Sequence, residues 1–566
     1  MTTSSVTAGA LAGHRGRGLA VITAVALAGT AVTLTGPLAV AAAVDAALAG
    51  RPTAGPLLQL GGLYGAGTLL AMAQARMMGG WSAGTTADLR RRLVTHTLSL
   101  TSGLQRFAPG DLTSRLLTAT TETAMIGPLV VTAVTTTLTA IGGGLVLWYI
   151  DAVTAAVLLL GVGLTLLLVH RFVSATTTLA GDYQKAQGDL AARLADVMAG
   201  VRTVRACGMV DREKHRVLQP LPRMAEAGRA MWRMQRSVLF HLDLIIPALR
   251  MLTLGIAGYG VAAGRVSPGQ LLAAVAYAGL ALQGIALVEV MLGIARARAG
   301  SGRLGEVLST EPPDRSGTAT LPAVRADVEF RDITVLVDGT PVLDRLDLTV
   351  PAGTSVAVVG RSGSGKSALV ALVGRLRDPD HGTVLLDGVP VSAIGPAELR
   401  RLVAYAFAHP HLLGASVHDG LTYGLGPVDR ADVVRAAERA RIDGWVRRSS
   451  RGYDTPLADA PRSGGEAQRL GLARALVRDA DVTVLDDATS SLDTVTEAEV
   501  STAIDAALAG RTRFFVAHRA ATAARCDLVA WLHEGKIRAL APHEKLWTLP
   551  EYRALFQPAE SDGETS

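Results

Sequence analysis

The chain has 566 residues, of which 49% are hydrophobic and 18% are charged, with a formal net charge of +6 at pH 7. This length exceeds that of one ordinary domain, and the mixture of apolar and charged residues is typical of a membrane region joined to a soluble one. The positive charge comes almost wholly from arginine, and no basic run is interleaved with aromatic residues. The composition therefore favours a membrane protein with basic cytoplasmic loops and argues against nucleic-acid binding.

The first half of the chain contains six apolar stretches, each long enough to cross about 30 Å of hydrocarbon as a helix. These predicted spans are 18–48, 55–79, 126–150, 152–174, 240–264 and 269–295. Short connections alternate with two long, arginine-rich ones at 80–125 and 175–239. Because cytoplasmic loops carry an excess of Lys and Arg, we predict a multi-pass protein of the lipid bilayer with both long connections and both termini in the cytoplasm.

One charged residue, Arg250, lies well inside the fifth predicted span. A charge at membrane depth usually faces a cavity or a partner helix, which makes Arg250 a candidate cavity residue. The alternatives are an ion pair within the bundle or a span whose limits are shifted.

A glycine-rich loop in the second half matches the pattern GxxxxGK[ST], after a strand-like run that begins at Val356. The loop reads Gly360-Arg361-Ser362-Gly363-Ser364-Gly365-Lys366-Ser367. Its glycines let the backbone turn N–H groups and a helix N-terminus toward a phosphate. Lys366 can reach the β- and γ-phosphates of ATP, and the Ser367 hydroxyl can hold Mg²⁺.

A second nucleotide motif follows downstream, where the apolar run Val482–Leu485 ends in Asp486 and Asp487. A buried strand of this kind delivers a carboxylate opposite the phosphate loop, so we predict that Asp486 and Ser367 together hold Mg²⁺.

A third stretch resembles the LSGGQ signature of ABC transporters, with Arg in place of its Leu and Glu in place of its Gln. It reads Arg462-Ser463-Gly464-Gly465-Glu466-Ala467-Gln468-Arg469. Ser490–Asp493 is similar to the D-loop of that family, and His518 to its switch histidine. In the membrane half, Gly110–Arg115 and Asp196–Arg205 resemble the cytoplasmic stretches that follow the second and fourth spans in this family.

The resemblance covers nearly the whole chain and implies an exporter-type half-transporter. It implies an all-α, six-helix transmembrane domain of the type IV exporter class, followed by an α/β P-loop nucleotide-binding domain. Two such chains would sandwich two ATP molecules with Mg²⁺, each between the phosphate loop of one chain and the signature of the other. The signature residues that would contact the partner's ATP are Ser463, Gly464, Gly465 and Glu466. The catalytic residues would be Asp487 and His518.

The domain limits that we expect follow the changes in composition. They are a cytoplasmic tail at 1–17, a transmembrane domain at 18–300, a linker at 301–325, a nucleotide-binding domain at 326–557 and a disordered tail at 558–566. Because the first span begins by about residue 18, we expect no leader-cleaving protease domain before it.

Three further positions depart from the family pattern. Asp487 stands where the family has a catalytic Glu, so its carboxylate lies on the order of 1 Å farther back. Ala408 stands at the position of the Q-loop Gln, and Val337 near the position of the aromatic residue that stacks on adenine. This selective loss resembles the degenerate partner of a heterodimer, and we predict that the second half-transporter is a different chain.

Two other interpretations stay open at this point. One is a homodimeric drug or lipid exporter in which Asp487 still works with His518. The other is a regulatory subunit that binds ATP without hydrolysing it. The arginine-rich, lysine-poor usage resembles exporters of high-GC actinobacteria, which predicts a bacterial plasma membrane and a cargo that is a peptide or another secondary metabolite.

Overall fold

We analysed the protein as a computed structural model that describes residues 14–100, 107, 109–312, 317–321, 325–337, 339–460 and 462–556. The chain divides into two compact units, one helical and one of mixed α/β structure, and passes from the first to the second between Thr310 and Glu311. Residues 1–13 of the expected N-terminal tail and the expected disordered tail at 558–566 lie outside the described residues.

The helical unit consists of long helices joined by short connections. Its helices are α1 (His14–Leu48), α2 (Ala54–Ser99), α3 (Pro109–Ser114), α4 (Thr120–Ala124), α5 (Ile126–Ile150), α6 (Ala152–Ala199), α7 (Val201–Ala206), α8 (Val210–Leu218), α9 (Leu221–Ala262), α10 (Pro268–Leu282) and α11 (Leu287–Leu308). A π-helical turn, Arg115–Ala119, joins α3 to α4, and a 3₁₀ turn, Gln283–Ala286, joins α10 to α11.

A long helix lies at each of the six predicted spans. Four segments are long and apolar enough to cross a membrane, namely Gly16–Leu48, Gly110–Ile150, Phe240–Ala262 and Pro268–Leu308. In α6 the side chains that the structure describes form an apolar stretch at Ala152–Leu167, and α2 is not among the four. The long connections are helical continuations of the spans, as expected, because α2 runs on to Ser99 and α6 to Ala199. The sixth span differs from the prediction, since the 3₁₀ turn interrupts it.

One end of the membrane bundle is held by a carboxylate that caps a neighbouring helix. Asp45, near the end of α1, accepts hydrogen bonds from the Ser267 hydroxyl at 2.5 Å and from the Gly269 N–H at 2.8 Å. Ser267 also forms a capping box with Gln270 at the start of α10. An acidic group at a helix N-terminus satisfies N–H groups that have no partner within the helix, so α1 and α10 are joined by a charge-assisted contact.

Arg115, in the π-helical turn, joins the start of the third membrane segment to α11. It is buried, and its guanidinium donates to Asp111 and to Glu306, each at 2.7 Å, and to the backbone carbonyl of Arg303. Arg303 returns a hydrogen bond to the Ser114 hydroxyl at 3.3 Å. The stretch 110–115 therefore holds α11 near the end of that helix at Leu308. This is the stretch that resembles a cytoplasmic segment of the family.

The α/β unit contains ten strands and ten helices in its described residues. The strands are β1 (Val328–Val337), β2 (Thr340–Val350), β3 (Ser355–Val359), β4 (His381–Leu386), β5 (Val389–Pro390), β6 (Val403–Phe407), β7 (Val482–Asp486), β8 (Thr512–Val516), β9 (Leu528–His533) and β10 (Lys536–Ala541). The helices are α12 (Lys366–Val373), α13 (Pro396–Leu402), α14 (Val417–Leu421), α15 (Arg430–Arg439), α16 (Asp443–Arg448), α17 (Gly464–Val477), α18 (Thr494–Ala507), α19 (Ala520–Ala524), α20 (His543–Leu546) and α21 (Pro550–Arg553).

Two sheets form the core of this unit. The first has the order β2-β1-β4-β5 and is antiparallel, and the second has the order β10-β9-β3-β8-β7-β6. In the second sheet β9, β3, β8, β7 and β6 run parallel. Parallel strands are buried on both faces, which explains why β3 and β7 read as near-continuous apolar runs. Their carboxyl ends lie at one edge of the sheet, where ligands bind in folds of this kind.

The boundaries of the last membrane helix differ from the composition-based estimate. The helix α11 continues to Leu308, so the first eight residues of the expected linker at 301–325 are helical. Similarly, α1 includes residues 14–17, which we had assigned to the N-terminal tail. Apolar and charged residues alternate at helical spacing in α11, and composition alone does not distinguish such a helix from a polar connection.

Candidate functional site

The phosphate loop lies at the carboxyl end of β3, whose five residues are all buried. Gly363 and Gly365 have φ values of +80° and +99°, a left-handed conformation that a side chain disfavours. A Cβ at Gly365 would meet Leu343 at 2.7 Å and the carbonyl of Val342 at 2.8 Å, so conformation and space both require glycine there. Gly365 is the N-cap of α12, which directs that helix N-terminus toward the loop.

Lys366 is the first residue of α12 and is only 6% exposed. Its ammonium donates to the carbonyls of Gly360 at 2.9 Å and Arg361 at 3.0 Å, which spans the loop. Burial lowers the pKa of Lys366, while the charges of Asp487 and Asp486 act in the opposite direction. The loop thus holds an ammonium group against its own backbone, ready to exchange these carbonyls for phosphate oxygens.

Ser367 and Asp486 meet at the expected place. The Ser367 hydroxyl donates to the Asp486 carboxylate at 3.2 Å, although β7 lies two strands away from β3 in the sheet. Burial is the main cause that raises the pKa of Asp486, and the neighbouring Asp487 adds to it. Two oxygen donors beside a phosphate loop fit Mg²⁺, which takes a few protein oxygens and completes its coordination with phosphate and water.

Asp487 directly follows β7 and has a φ of +53°. Asp tolerates this left-handed region better than most residues because its short side chain can hydrogen-bond locally. Its carboxylate lies 3.1 Å from the His518 Nε2 atom. His518 follows β8, the strand between β3 and β7, so the sheet brings together the two residues predicted to be catalytic.

The signature residues form the N-terminus of α17. Ser463 is the N-cap, and a capping box joins its hydroxyl to the Glu466 N–H and the Glu466 carboxylate to the Ser463 N–H at 2.6 Å. Ser463 and Gly464 are exposed. Glu466, which stands where the family has Gln, therefore stabilises the turn that presents Ser463 and Gly464 to solvent. Arg462, which replaces the Leu, donates to the carbonyl of Leu457 at 3.2 Å.

Gln468 is the residue that sequence reasoning missed. It is 1% exposed, and its amide nitrogen donates to the carbonyl of Ala408 and to the Ser490 hydroxyl, each at 2.9 Å. Its amide oxygen accepts from the Ser491 N–H, also at 2.9 Å. One side chain therefore joins the signature helix, the loop after β6 and the D-loop. A polar residue on the apolar face of α17, beside Leu472 and Ala475, was the available signal.

The two remaining departures from the family pattern lie at the ends of strands. Ala408 directly follows β6 and contributes its backbone carbonyl to Gln468, with no side-chain polar group to offer. Val337 is the last residue of β1 and is 40% exposed, so it presents only an apolar surface.

Comparisons with known proteins agree with this geometry. Residues 343–490 match the family described as ABC transporter, and residues 19–285 match the ABC transporter transmembrane region. The chain is 38% identical over 491 residues to the ABC transporter ATP-binding protein RamA of Streptomyces coelicolor, covering 86% of this chain and 77% of that one. It is 31% identical over 413 residues to an ATP-dependent lipid A-core flippase of Syntrophus aciditrophicus, covering 71% and 68%.

The fold also matches a solved structure along nearly its whole length. A bacterial Atm1-family ABC exporter with ATP bound superposes with a TM-score of 0.77 and 23% sequence identity, covering 98% of this chain and 99% of that one. This similarity confirms the predicted type IV exporter fold of the membrane domain. Together with the two matched regions, it describes a multi-pass plasma-membrane protein with a cytoplasmic nucleotide-binding domain that couples ATP hydrolysis to transport. The chain belongs to the ABC transporter family and is an exporter-type half-transporter.

Proposed function

We propose that this chain is the ATP-holding subunit of a heterodimeric exporter, in which its own ATP site turns over slowly and its signature completes a faster site on a different chain. The observation that carries the proposal is Asp487, whose shortened carboxylate stands at the position of the family's catalytic Glu and lies 3.1 Å from His518. The phosphate loop and Asp486 beside it keep the groups of the family pattern that contact the phosphates and the metal from this side.

ATP binding at this chain's own loop is the first step of the proposal. Gly360 to Gly365 would surround the phosphates with N–H groups, and Lys366 would move from its two carbonyl acceptors to the β- and γ-phosphates. Ser367 and Asp486 would hold Mg²⁺, which neutralises phosphate charge when it is bound. Nothing in this set of residues is shortened or lost relative to the family pattern.

Hydrolysis at the same loop is the weakened step. A general base or water-orienting group must lie within hydrogen-bond reach of the water, and a misplacement of about 1 Å can reduce the rate roughly 100-fold. Asp487 is shorter by one methylene than the Glu of the family, and Ala408 has no side chain that could bind water or metal. His518 is the polar group that remains beside Asp487.

The signature is the contribution that we expect to be fully active. Ser463 and Gly464 are exposed at the N-terminus of α17, and the capping box with Glu466 fixes their conformation. A helix N-terminus with free N–H groups attracts phosphate. We propose that this turn, including Gly465, contacts the γ-phosphate of an ATP held by the partner's loop.

The remaining expectations complete the proposal. We place the transmembrane domain from α1 to the end of α11 at Leu308, and the nucleotide-binding domain at 326–557. Stretches near 105–117 and 205–216 would transmit closure of the ATP domains to the membrane helices. For cargo we propose a peptide or another secondary metabolite. This assignment draws support from the family resemblance to actinobacterial exporters and from the 38% identity to a Streptomyces relative.

Two variants of the complex, purified from its native membrane, test the proposal by their ATP turnover. We expect Asp487→Ala to leave turnover within about twofold, because hydrolysis takes place on the other chain. Ser463→Arg should reduce turnover by at least about 100-fold, since it blocks the signature contact. Retained binding of a fluorescent ATP analogue by the Ser463→Arg complex would show that the fold is intact.

The same two variants, together with Lys366→Ala, separate the alternatives. A homodimer that relies on Asp487 predicts a large loss for Asp487→Ala as well as for Ser463→Arg. A regulatory subunit predicts that Lys366→Ala impairs the complex while neither Asp487→Ala nor Ser463→Arg changes its turnover.

A further inference from the structure

Charged residues follow one side of α9 from the cytoplasmic connection into the membrane. A charged residue recurs every seven positions, at Arg229, Arg236, Asp243 and Arg250. Arg233 lies on the same side, about one turn from both Arg229 and Arg236. Residues seven apart in an α-helix are displaced by only about 20° around the axis, so these five side chains form one stripe. We call them the α9 stripe.

The stripe lies on the face of α9 that its own bundle leaves open. All five side chains are exposed, and within the described part of the chain none of them forms an ion pair or a side-chain hydrogen bond. The opposite face carries Leu242 and Leu249, which are half-buried and pack against the core of the bundle. The helix contacts α6 and α10.

The depth of Arg250 decides what the stripe can face. The apolar segment of α9 begins at Phe240, and Arg250 lies about 15 Å farther along the helix, at 1.5 Å per residue. That distance is about half the thickness of the hydrocarbon core. An arginine at this depth with no partner among the described side chains faces a water-filled cavity or another chain, because exposure to lipid tails is strongly unfavourable.

The charge of the stripe indicates what it binds. The stripe contains four arginines and one carboxylate. Like charges at helical spacing destabilise a helix, and an anion bound beside them offsets this repulsion. The planar guanidinium matches carboxylate and phosphate groups with two parallel hydrogen bonds. Trp232 and Phe240, each 66% exposed, lie within one turn of the arginines and offer apolar surface beside them.

We infer that the α9 stripe lines the aqueous pathway of the transporter and selects an amphipathic cargo that carries a carboxylate or phosphate group. This inference rests on the proposed export function and adds the chemical class of the cargo to it. The arginines from 229 to 236 would attract the anion at the cytoplasmic mouth, and Arg250 would receive it at mid-membrane depth. A lipid headgroup at the membrane surface would not reach Arg250.

Cysteine labelling in inside-out membrane vesicles, without nucleotide, tests the pathway. Leu254 is 40% exposed, one turn beyond Arg250 on the same side, and Leu254→Cys serves as the reporter. Cys207→Ser removes the exposed native thiol, while Cys526 is buried. The probes are two methanethiosulfonate reagents of similar size, one with an anionic sulfonatoethyl group and one with a cationic trimethylammonioethyl group. The labelling rate of each reagent is divided by the rate at which the same reagent labels a small thiol free in solution.

We expect the reporter to react with both probes and to prefer the anionic one by at least about threefold, as one nearby unit charge in partly aqueous surroundings predicts. Arg250→Gln should bring the ratio close to one, and Arg250→Lys should preserve it. A reporter that reacts with neither probe, or a ratio of one with Arg250 present, would overturn the assignment. Because no ATP is used, this result is independent of whether Asp487 hydrolyses it.

Protection of the same reporter tests the cargo class. N-octanoylglutamate should slow labelling by the cationic probe, and the neutral N-octanoylglutamine amide should not. Equal protection by both compounds, or none by either, would contradict selection of an anionic cargo.

Discussion

The amide nitrogen of Gln468 donates to the backbone carbonyl of Ala408 at 2.9 Å, which joins the signature helix to the loop after β6. The side chain at position 408 cannot bind nucleotide or metal, so the position of this loop depends on its backbone and on Gln468. The same amide holds Ser490 and Ser491 of the D-loop. One buried side chain thus fixes three of the segments that surround the ATP site.

Replacing Gln468 should destabilise this arrangement measurably. Gln468→Met keeps the volume but leaves the carbonyl of Ala408 and the N–H of Ser491 without their partner. Unsatisfied buried polar groups cost about 1–3 kcal/mol each. We expect the apparent melting temperature of the purified protein to fall by several degrees, measured by intrinsic fluorescence in detergent. Arg439→Ala, at an exposed position of α15, is the control and should shift it by less than about 2 °C.

Asp487→Glu should raise ATP turnover and lower the stability of the fold. The longer side chain restores the reach of the family's catalytic carboxylate, so this chain's loop should add a second hydrolysing site to the partner's, and we expect ATP turnover by the native complex to rise by up to about twofold. The left-handed φ of +53° suits Asp better than Glu, which should lower the free energy of unfolding by about 1 kcal/mol. Unchanged or reduced turnover, with ATP binding retained, would show that carboxylate length is not the limiting feature.

Binding of Mg-ATP should weaken as the pH is lowered because of Asp486. Burial raises the pKa of this carboxyl group, so the proton is held to a higher pH than in an ordinary aspartate. Only the ionised form binds Mg²⁺, and the metal-dependent part of ATP affinity is therefore complete above the raised pKa and is lost as pH falls through it. Titrations of ATP affinity with and without Mg²⁺, carried downward from neutral pH, measure this difference. In the Asp486→Asn variant, Mg²⁺ should increase ATP affinity only slightly. This small increase should lack the pH dependence that the Asp486 carboxyl group causes.

The contact between α1 and α10 predicts a difference between two glycines of the same helix. A Cβ at Gly269 would meet the carbonyl of Ala41 and lie 2.7 Å from the Asp45 carboxylate, whereas a Cβ at Gly279 would meet nothing within 4 Å. Overpacking of this kind costs about 1–3 kcal/mol. We expect Gly269→Ala to lower the melting temperature in detergent and Gly279→Ala to leave it unchanged or raise it. Equal effects of the two variants would be inconsistent with a close α1–α10 contact.

The positions of the nucleotide motifs could be predicted because each motif has one structural context. A buried apolar strand must precede the loop of Lys366, and another must deliver Asp486, so a parallel sheet brings the two together at its carboxyl edge. The hydrogen bond from Ser367 to Asp486 follows from that topology. The spans were predictable for a similar reason, because their length and apolar character have no other common explanation.

Gln468 and Arg115 could not be predicted, because their roles depend on residues far away in sequence. Nothing near Gln468 in the chain indicates that Ala408 and Ser491 will lie beside it. Arg115 belongs to a recognisable stretch, but its partner Glu306 lies in the last turns of α11, which fall within the expected linker at 301–325. Hydrogen bonds between residues far apart in sequence can be identified only from the three-dimensional arrangement of the strands and helices.

The central claim is that this chain holds ATP at its own loop and depends on another chain for rapid turnover. The most direct measurement is the ATPase rate of the purified chain alone, in lipid, at a nucleotide concentration that saturates its own site. The account predicts bound Mg-ATP, lost in Lys366→Ala, with a turnover at least about 100-fold below that of the native complex. Rapid turnover by the chain alone, abolished by Asp487→Ala, would contradict it.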